Sequence, residues 1–186
     1  MKEKIKKSAI KLFYKKGYFG TSISTIARAT GIRKSSIYHH YSTKENILLD
    51  IFRTSMNDLQ DALRTRLDAS TGARERMQTA IYCHIIFHIE RQKEAIIADS
   101  ELRGLTARNY KEIIQMRDDY EKEIQRVLEE GVAEGIFADV DIKAISYAIL
   151  SMCTGVCTWF NRSGRLSKEE VADIYSGYIL KGLAKS

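Results

Sequence analysis

The stretch Ser24-Thr-Ile-Ala-Arg-Ala-Thr-Gly-Ile-Arg-Lys-Ser-Ser-Ile-Tyr-His-His-Tyr41 decides how this chain is read. It holds two short helical segments broken by a turn at Gly31. Ile23, Ile26, Ala27, Ile32 and Ile37 stand at spacings that lock the two segments together. The second segment then turns Arg33, Lys34, Ser35, Ser36, Tyr38, His39 and His40 outward. Short hydrogen-bond donors and flat polar rings on one helix suit a helix laid in a DNA major groove.

The charge distribution agrees. Residues 1–50 carry 11 Lys/Arg and 3 acidic residues, a net of +8, whereas residues 51–186 carry a net of −2. A basic head on a near-neutral body is the electrostatic footprint of a phosphate-binding module. With 44% hydrophobic and 29% charged residues the 186-residue chain has the composition of an ordinary globular protein. No apolar run is read as reaching the ~20 residues of a membrane span, and the N-terminus leads into an amphipathic helix, so a cytoplasmic protein without membrane contact is expected. Three cysteines, an odd number, argue against a disulfide framework.

Proline is absent, and Gly, Ser and Thr mark the breaks between segments of helical periodicity. The pattern predicts an all-α chain of nine helices. Helices are expected over about 2–16, then the pair around Gly31, then 42–67, 73–98, a short piece near Ser100, 107–134, 141–160 and 167–183. Ser22 or Thr21 is placed to cap the second helix. Ser42 with Glu45, and Ser167 with Glu170, have capping-box spacing. The stretch from Asp141 to Phe160 is apolar on most sides, which suits a central or interface helix.

Ala9, Leu12, Phe13, Gly17-Tyr18, Thr21-Ser22-Ile23, Ile26-Ala27, Gly31-Ile32, Ser36-Ile37-Tyr38-His39-His40-Tyr41 and Lys44-Glu45 together resemble the TetR family of transcriptional regulators. The resemblance implies a helix-turn-helix DNA-binding domain over residues 1–46 and a ligand-binding and dimerisation domain over 47–186. It implies a homodimeric repressor released from a palindromic operator by a small effector. The sequence shows no glycine-rich phosphate loop, nucleophile elbow or three-ligand metal pattern, so no enzymatic activity and no cofactor are expected. The C-terminal run Trp159-Phe-Asn-Arg-Ser-Gly-Arg-Leu-Ser-Lys-Glu-Glu170 is similar to regulators of fatty-acid, steroid and aromatic-acid catabolism, several of which answer to acyl-CoA thioesters. Their usual Trp-Tyr-Arg-Pro-x-Gly is altered here, with Asn161 and Arg162 at the Arg and Pro positions.

On this reading Lys34 is the leading candidate for a base-edge contact, because lysine donates to guanine O6 or N7. Ser35 and Ser36 let the backbone approach. Arg28, Arg33, Tyr38, His39 and His40 are further DNA candidates, joined by Ser22, Ser24, Thr25 and Lys44 at helix starts that can receive phosphates. Ile37 and Tyr41 are assigned to the core. Pocket candidates are Ile81, His84, Ile85, His88, Arg103, Tyr110, Ile114, Tyr147, Met152 and Trp159. Dimer-interface candidates are Ile145, Ile149, Val156, Phe160, Ile174, Tyr178 and Ile179.

Other readings stay open at this level. His84 and His88, four residues apart, have metal-ligand spacing but no evident third ligand, so no metal is assigned. Cys153 and Cys157, one turn apart, admit a thiol-sensing regulator. A helical adaptor that binds protein and not DNA is the remaining class.

Overall fold

A computed structural model describes residues 1–185. Among them the helices are α1 (Lys2–Lys16), α2 (Ile23–Thr30), α3 (Lys34–Tyr38), α4 (Lys44–Leu67), α5 (Gly72–Glu90), α6 (Gln92–Ser100), α7 (Ala107–Ala133), α8 (Ile142–Thr154), α9 (Val156–Trp159) and α10 (Lys168–Leu183), with a 3-10 turn at Leu102–Gly104. Gly155 keeps right-handed helical angles, so α8 and α9 are two parts of one jointed rod. Counted that way, the described residues form nine α-helices, the number that the periodicity predicts. The one β-type pairing recorded is an isolated bridge between Phe137 and Ala184.

Two compact units result, one of residues 1–57 with 93–115, the other of 58–92 with residues from 116 onward. In the first, Ile5, Ala9 and Phe13 of α1 meet Ile26 and Ala27 of α2, Ile37 of α3 and Ile47, Leu48, Ile51 and Phe52 of α4, all buried. The α2–α3 turn needs a left-handed residue, and Gly31 supplies it at φ 72°. Ser22 caps α2 by accepting the Thr25 N–H at 3.1 Å. Such a cap is worth about 1 kcal/mol.

The second unit is built around α5, against which α8, α9 and α10 pack. Met77, Ala80, Ile81, Ile85, Ile124, Val127, Leu128, Phe137, Ile149 and Val156 fill its core. Gly131 lets α7 close on Phe137, since a Cβ there would lie 2.0 Å from the Phe137 ring. The box at Ser167 forms as predicted, each partner bonding the other's backbone N–H.

Three local expectations change. The helix predicted over 73–98 is broken at Arg91, whose backbone leaves helical angles (φ −115°, ψ 40°). Gln92 is thereby free to donate its amide to the carbonyls of Cys157 (3.2 Å) and Phe160 (2.8 Å), closing the end of α9. The box at Ser42 and Glu45 does not form: Thr43 accepts the Asn46 N–H, and Glu45 is drawn to the start of α7. Finally, Ile142–Trp159 is, by length and composition, long and apolar enough to cross a membrane. Here it packs as a helix of the second unit, with Ile149, Cys153, Val156 and Cys157 turned inward.

Candidate DNA-binding face and helical body

In the first unit, Phe19, Gly20, Thr21, Ser22, Ile23, Ser24, Thr25, Lys34, Tyr38 and Lys44 line an open surface groove of about 470 Å³. Six of the sequence-chosen DNA candidates line it, Ser22, Ser24, Thr25, Lys34, Tyr38 and Lys44, and bring hydroxyls and ammonium groups to one surface. Lys34 lies 5.8 Å from the Tyr38 ring centroid, so its charge stands over an exposed aromatic face. Arg28, Arg33, Ser35, His39 and His40 are also exposed, and Ser36 is half-buried. α3 ends at Tyr38, so His39 and His40 occupy the turn after it.

Lys44 sits differently from the other cations. Its ammonium donates to the carbonyls of Tyr18 and Thr21, both at 2.8 Å, and lies 4.0 Å from the Tyr18 ring centroid. Burial lowers its pKa, against the opposing charge of Glu101. Lys44 therefore ties the α1–α2 turn to α4, with two of its three donors spent within the chain.

The core assignments of Ile37 and Tyr41 hold. Ile37 is fully buried, and the Tyr41 hydroxyl donates to Asp50 Oδ2 at 2.7 Å. Asp50 also takes Lys2 at 3.1 Å and faces Lys6 at 3.7 Å. Burial alone would raise the Asp50 carboxyl. The hydrogen bonds from Tyr41 and Lys2 and the charges of Lys6 and Lys2 outweigh it and hold the pKa below the usual aspartate value. Glu45 accepts the Thr106 N–H at 2.7 Å and the Asn109 amide at 2.6 Å. The Thr106 bond lowers its pKa, burial opposes, and Asn109 adds to the lowering.

In the second unit Met77, Ala80, Ile81, His84, Ile124, Ile149, Leu150 and Cys153 surround a cavity of about 10 Å³. His84 is its polar wall. One ring nitrogen meets the Tyr120 hydroxyl and the other the Thr154 hydroxyl, each at 2.9 Å, so the histidine links α5, α7 and α8. The His88 ring stacks on it at 4.0 Å, and His88 Nδ1 lies 2.8 Å from the His84 carbonyl, which requires a proton on that nitrogen. Burial drives the His84 pKa well below its ordinary value, assisted by His88. Burial also takes His88 to about 4, with the carbonyl bond opposing and Arg117 assisting. Both rings are neutral at pH 7.

The other pocket candidates disperse. Ile85 is core; Tyr147, Met152 and Trp159 are exposed on α8 and α9; Arg103, Tyr110 and Ile114 belong to the first unit. The interface candidates divide as well. Ile174 and Tyr178 are exposed and Ile145 half-buried, whereas Ile149, Val156, Phe160 and Ile179 are buried within the protomer. The reason is rotation: a helix that is apolar all round gives no sequence signal for which stripe its own neighbours cover. Tyr120 and Thr154, which hold His84, were missed because they come from helices remote in sequence.

A thiol sensor needs an accessible, acidic cysteine. Cys83, Cys153 and Cys157 are all buried and form no disulfide. Burial raises the Cys83 thiol and pushes Cys153 up to about 12. At the altered Asn161 and Arg162, the Asn161 side chain accepts the Ser163 N–H at 3.0 Å and its carbonyl takes the Gly164 N–H at 2.8 Å, making a tight turn.

Comparison with known proteins matches this architecture over the whole chain. The family model "Bacterial regulatory proteins, tetR family" matches residues 5–51, and "Tetracyclin repressor-like, C-terminal domain" matches residues 70–183. The HTH-type transcriptional repressor KstR2 of Mycolicibacterium smegmatis is 28% identical over 182 residues, covering 96% of this chain and 88% of the relative. A crystal structure of a tetR-family regulatory protein from Rhodococcus RHA1 superposes with TM-score 0.93 at 25% identity, covering 100% and 97% of the two chains. AibR, crystallised with isovaleryl coenzyme A and operator DNA, superposes with TM-score 0.87 at 26% identity, covering 95% and 96%. With a helix-turn-helix bearing a polar groove, and both family models matched in order along its length, the chain belongs to the TetR family of DNA-binding transcriptional regulators.

Proposed function

We propose that the protein is a homodimeric repressor, released from a palindromic operator by a small hydrophobic or acyl-CoA-type effector and acting in the cytoplasm. Residues 1–46 read DNA, and residues 47–186 bind effector and dimerise. The observation that carries the reading is the groove joining the start of α2 to Lys34 and Tyr38, inside a head of net charge +8. Lys34 reads base edges, with Arg33, Ser35, Ser36, Tyr38, His39 and His40 beside it. Ser22, Ser24, Thr25, Arg28 and Lys44 hold phosphates.

Dimerisation is supported by a band of exposed large apolar side chains: Tyr147, Met152 and Trp159 on α8 and α9, Ile174 and Tyr178 on α10. Trp159 stacks on Tyr175 at 6.4 Å, which joins the two parts of the band. An effector with an apolar body is supported by the shell around His84 and by AibR's isovaleryl coenzyme A.

A mobility-shift assay on the DNA upstream of its own gene, followed by a thermal-shift screen of acyl-CoA esters, tests the proposal. Salt-dependent retardation reversed by a CoA ester supports it. Absence of retardation overturns the repressor reading, and protection by free fatty acids without protection by CoA esters overturns the thioester.

A further inference from the structure

The 3-10 turn Leu102–Gly104 and the residue before it seat on the Gly17–Gly20 turn that joins α1 to α2. A Cβ on Gly17 would lie 3.3 Å from Glu101 Oε1, and a Cβ on Gly104 would lie 2.7 Å from the Tyr18 ring and 2.9 Å from Leu48. Only a residue without a side chain at position 104 lets the two turns close this far. The consequence is the placement of Arg103: its guanidinium lies 5.7 Å from the centroid of Phe19. Phe19 is an exposed wall of the same groove that holds Ser22, Ser24, Thr25 and Lys34. Arg103 is itself exposed and forms no ion pair among the described residues.

We infer that Arg103 is a phosphate contact of the operator-binding face, supplied by the turn after α6 from outside the helix-turn-helix. The inference rests on the DNA-binding reading above. An aromatic face within about 6 Å orients a guanidinium without neutralising it. Its planar fork of donors then fits a phosphate in two-point fashion. Lys44, which also lines the groove, has two of its three donors committed to Tyr18 and Thr21. Arg103 supplies the uncommitted cation there. A contact of this kind adds affinity and register without sequence information. It also makes a segment within the C-terminal family match part of the DNA-binding surface.

The test is fluorescence anisotropy with the full chain, using a duplex from upstream of its own gene and a random duplex of equal length, across 50 to 200 mM salt. Wild type, R103A, R103K and K181A are compared after their thermal melts are matched. R103A is expected to weaken both duplexes by the same factor and to flatten the slope of log affinity against log salt by about one. R103K keeps the slope, and K181A, which removes an exposed charge of the second unit, behaves as wild type. An unchanged slope in R103A overturns the inference, as does a loss confined to the upstream duplex, or a slope lost equally in R103K. A wild-type chain without salt-dependent affinity for either duplex overturns the DNA-binding reading itself, and the inference with it.

Discussion

Tyr41→Phe separates the two roles that the recognition segment combines. Tyr41 follows α3 by three residues and sits beside His39 and His40 in sequence, yet its ring is buried and its hydroxyl serves Asp50 at 2.7 Å. A hydrogen bond to a charged acceptor contributes about 1.5–3 kcal/mol. The lower half of that range applies, because Asp50 keeps Lys2 at 3.1 Å and Lys6 at 3.7 Å, and its side chain is 22% exposed to water. The substitution leaves no unsatisfied donor behind. A loss of about 1.5–2 kcal/mol follows, which for a chain of this size lowers Tm by roughly 3–8 °C at fixed protein concentration. The loss has a pH signature. The folded-state pKa of Asp50 is depressed, so its contribution is fully present above the unfolded value near 3.9 and disappears as pH falls through the lower folded value. The wild-type advantage is therefore constant from pH 7 to about 5 and shrinks in stronger acid. Thermal melts over pH 3.5 to 7, with operator anisotropy at pH 7, measure both. An unchanged Tm at pH 7 refutes the bond's role, and a lowered operator affinity with intact stability moves the hydroxyl onto the DNA.

Lys34→Ala should reduce affinity at one base position by about 1–3 kcal/mol while sparing random DNA; a panel of single-base operator variants checks this, and unchanged sequence preference removes the base-edge role. Glu45→Gln should cost about 1 kcal/mol near neutral pH, because the carboxylate at the start of α7 loses its charge against the Thr106 N–H. Its depressed pKa means that the penalty fades as pH falls below the usual glutamate range, which denaturant titrations at pH 7 and pH 4 resolve. Gly131→Ala drives a methyl into the buried Phe137 ring and should destabilise by about 1–3 kcal/mol, visible in a urea melt.

The head was legible because its signals are local. Ser22 and Gly31 act within a turn of their own position, and Ile5, Ile26 and Ile37 lie on the periodic inward stripe of their own helices, so pattern and fold coincide. Glu45 shows where locality ends. Its spacing from Ser42 predicts a capping box, but a helix start more than 60 residues away offers an unpaired N–H, and the carboxylate goes there. Arg103 shows the same limit. As an isolated cation in a helical body it reads as a ligand-phosphate partner, and only the close approach of Gly104 to Tyr18 puts it beside Phe19. α8 and α9 are hard to read for the opposite reason. A helix apolar on most faces carries no information on which stripe is inside, and within the protomer Ile149 and Val156 are buried whereas Met152 and Trp159 are exposed.

The body's own chemistry constrains how an effector would act. The cavity beside His84 is about 10 Å³, near the minimum for one water, whereas pockets for small ligands run to about 300–1,000 Å³. An acyl or ring system entering beside His84 would have to displace Met77, Ile81, Ile124 and Leu150, which line the cavity. On the proposed reading the effector would stabilise an expanded body that the unliganded chain disfavours, and its apolar surface would have to offset the lost packing. A hundredfold drop in operator affinity requires only about 2.7 kcal/mol of differential binding, about the burial of one or two large aliphatic side chains. His84 sets the direction of that selection. Both of its nitrogens are satisfied by Tyr120 and Thr154, and burial keeps the ring neutral. A ligand group that reaches the ring must replace one of those hydroxyls with an uncharged donor or acceptor. No charged side chain lines the cavity, so on the proposed reading the apolar part of the effector would enter it and an anionic headgroup would stay outside.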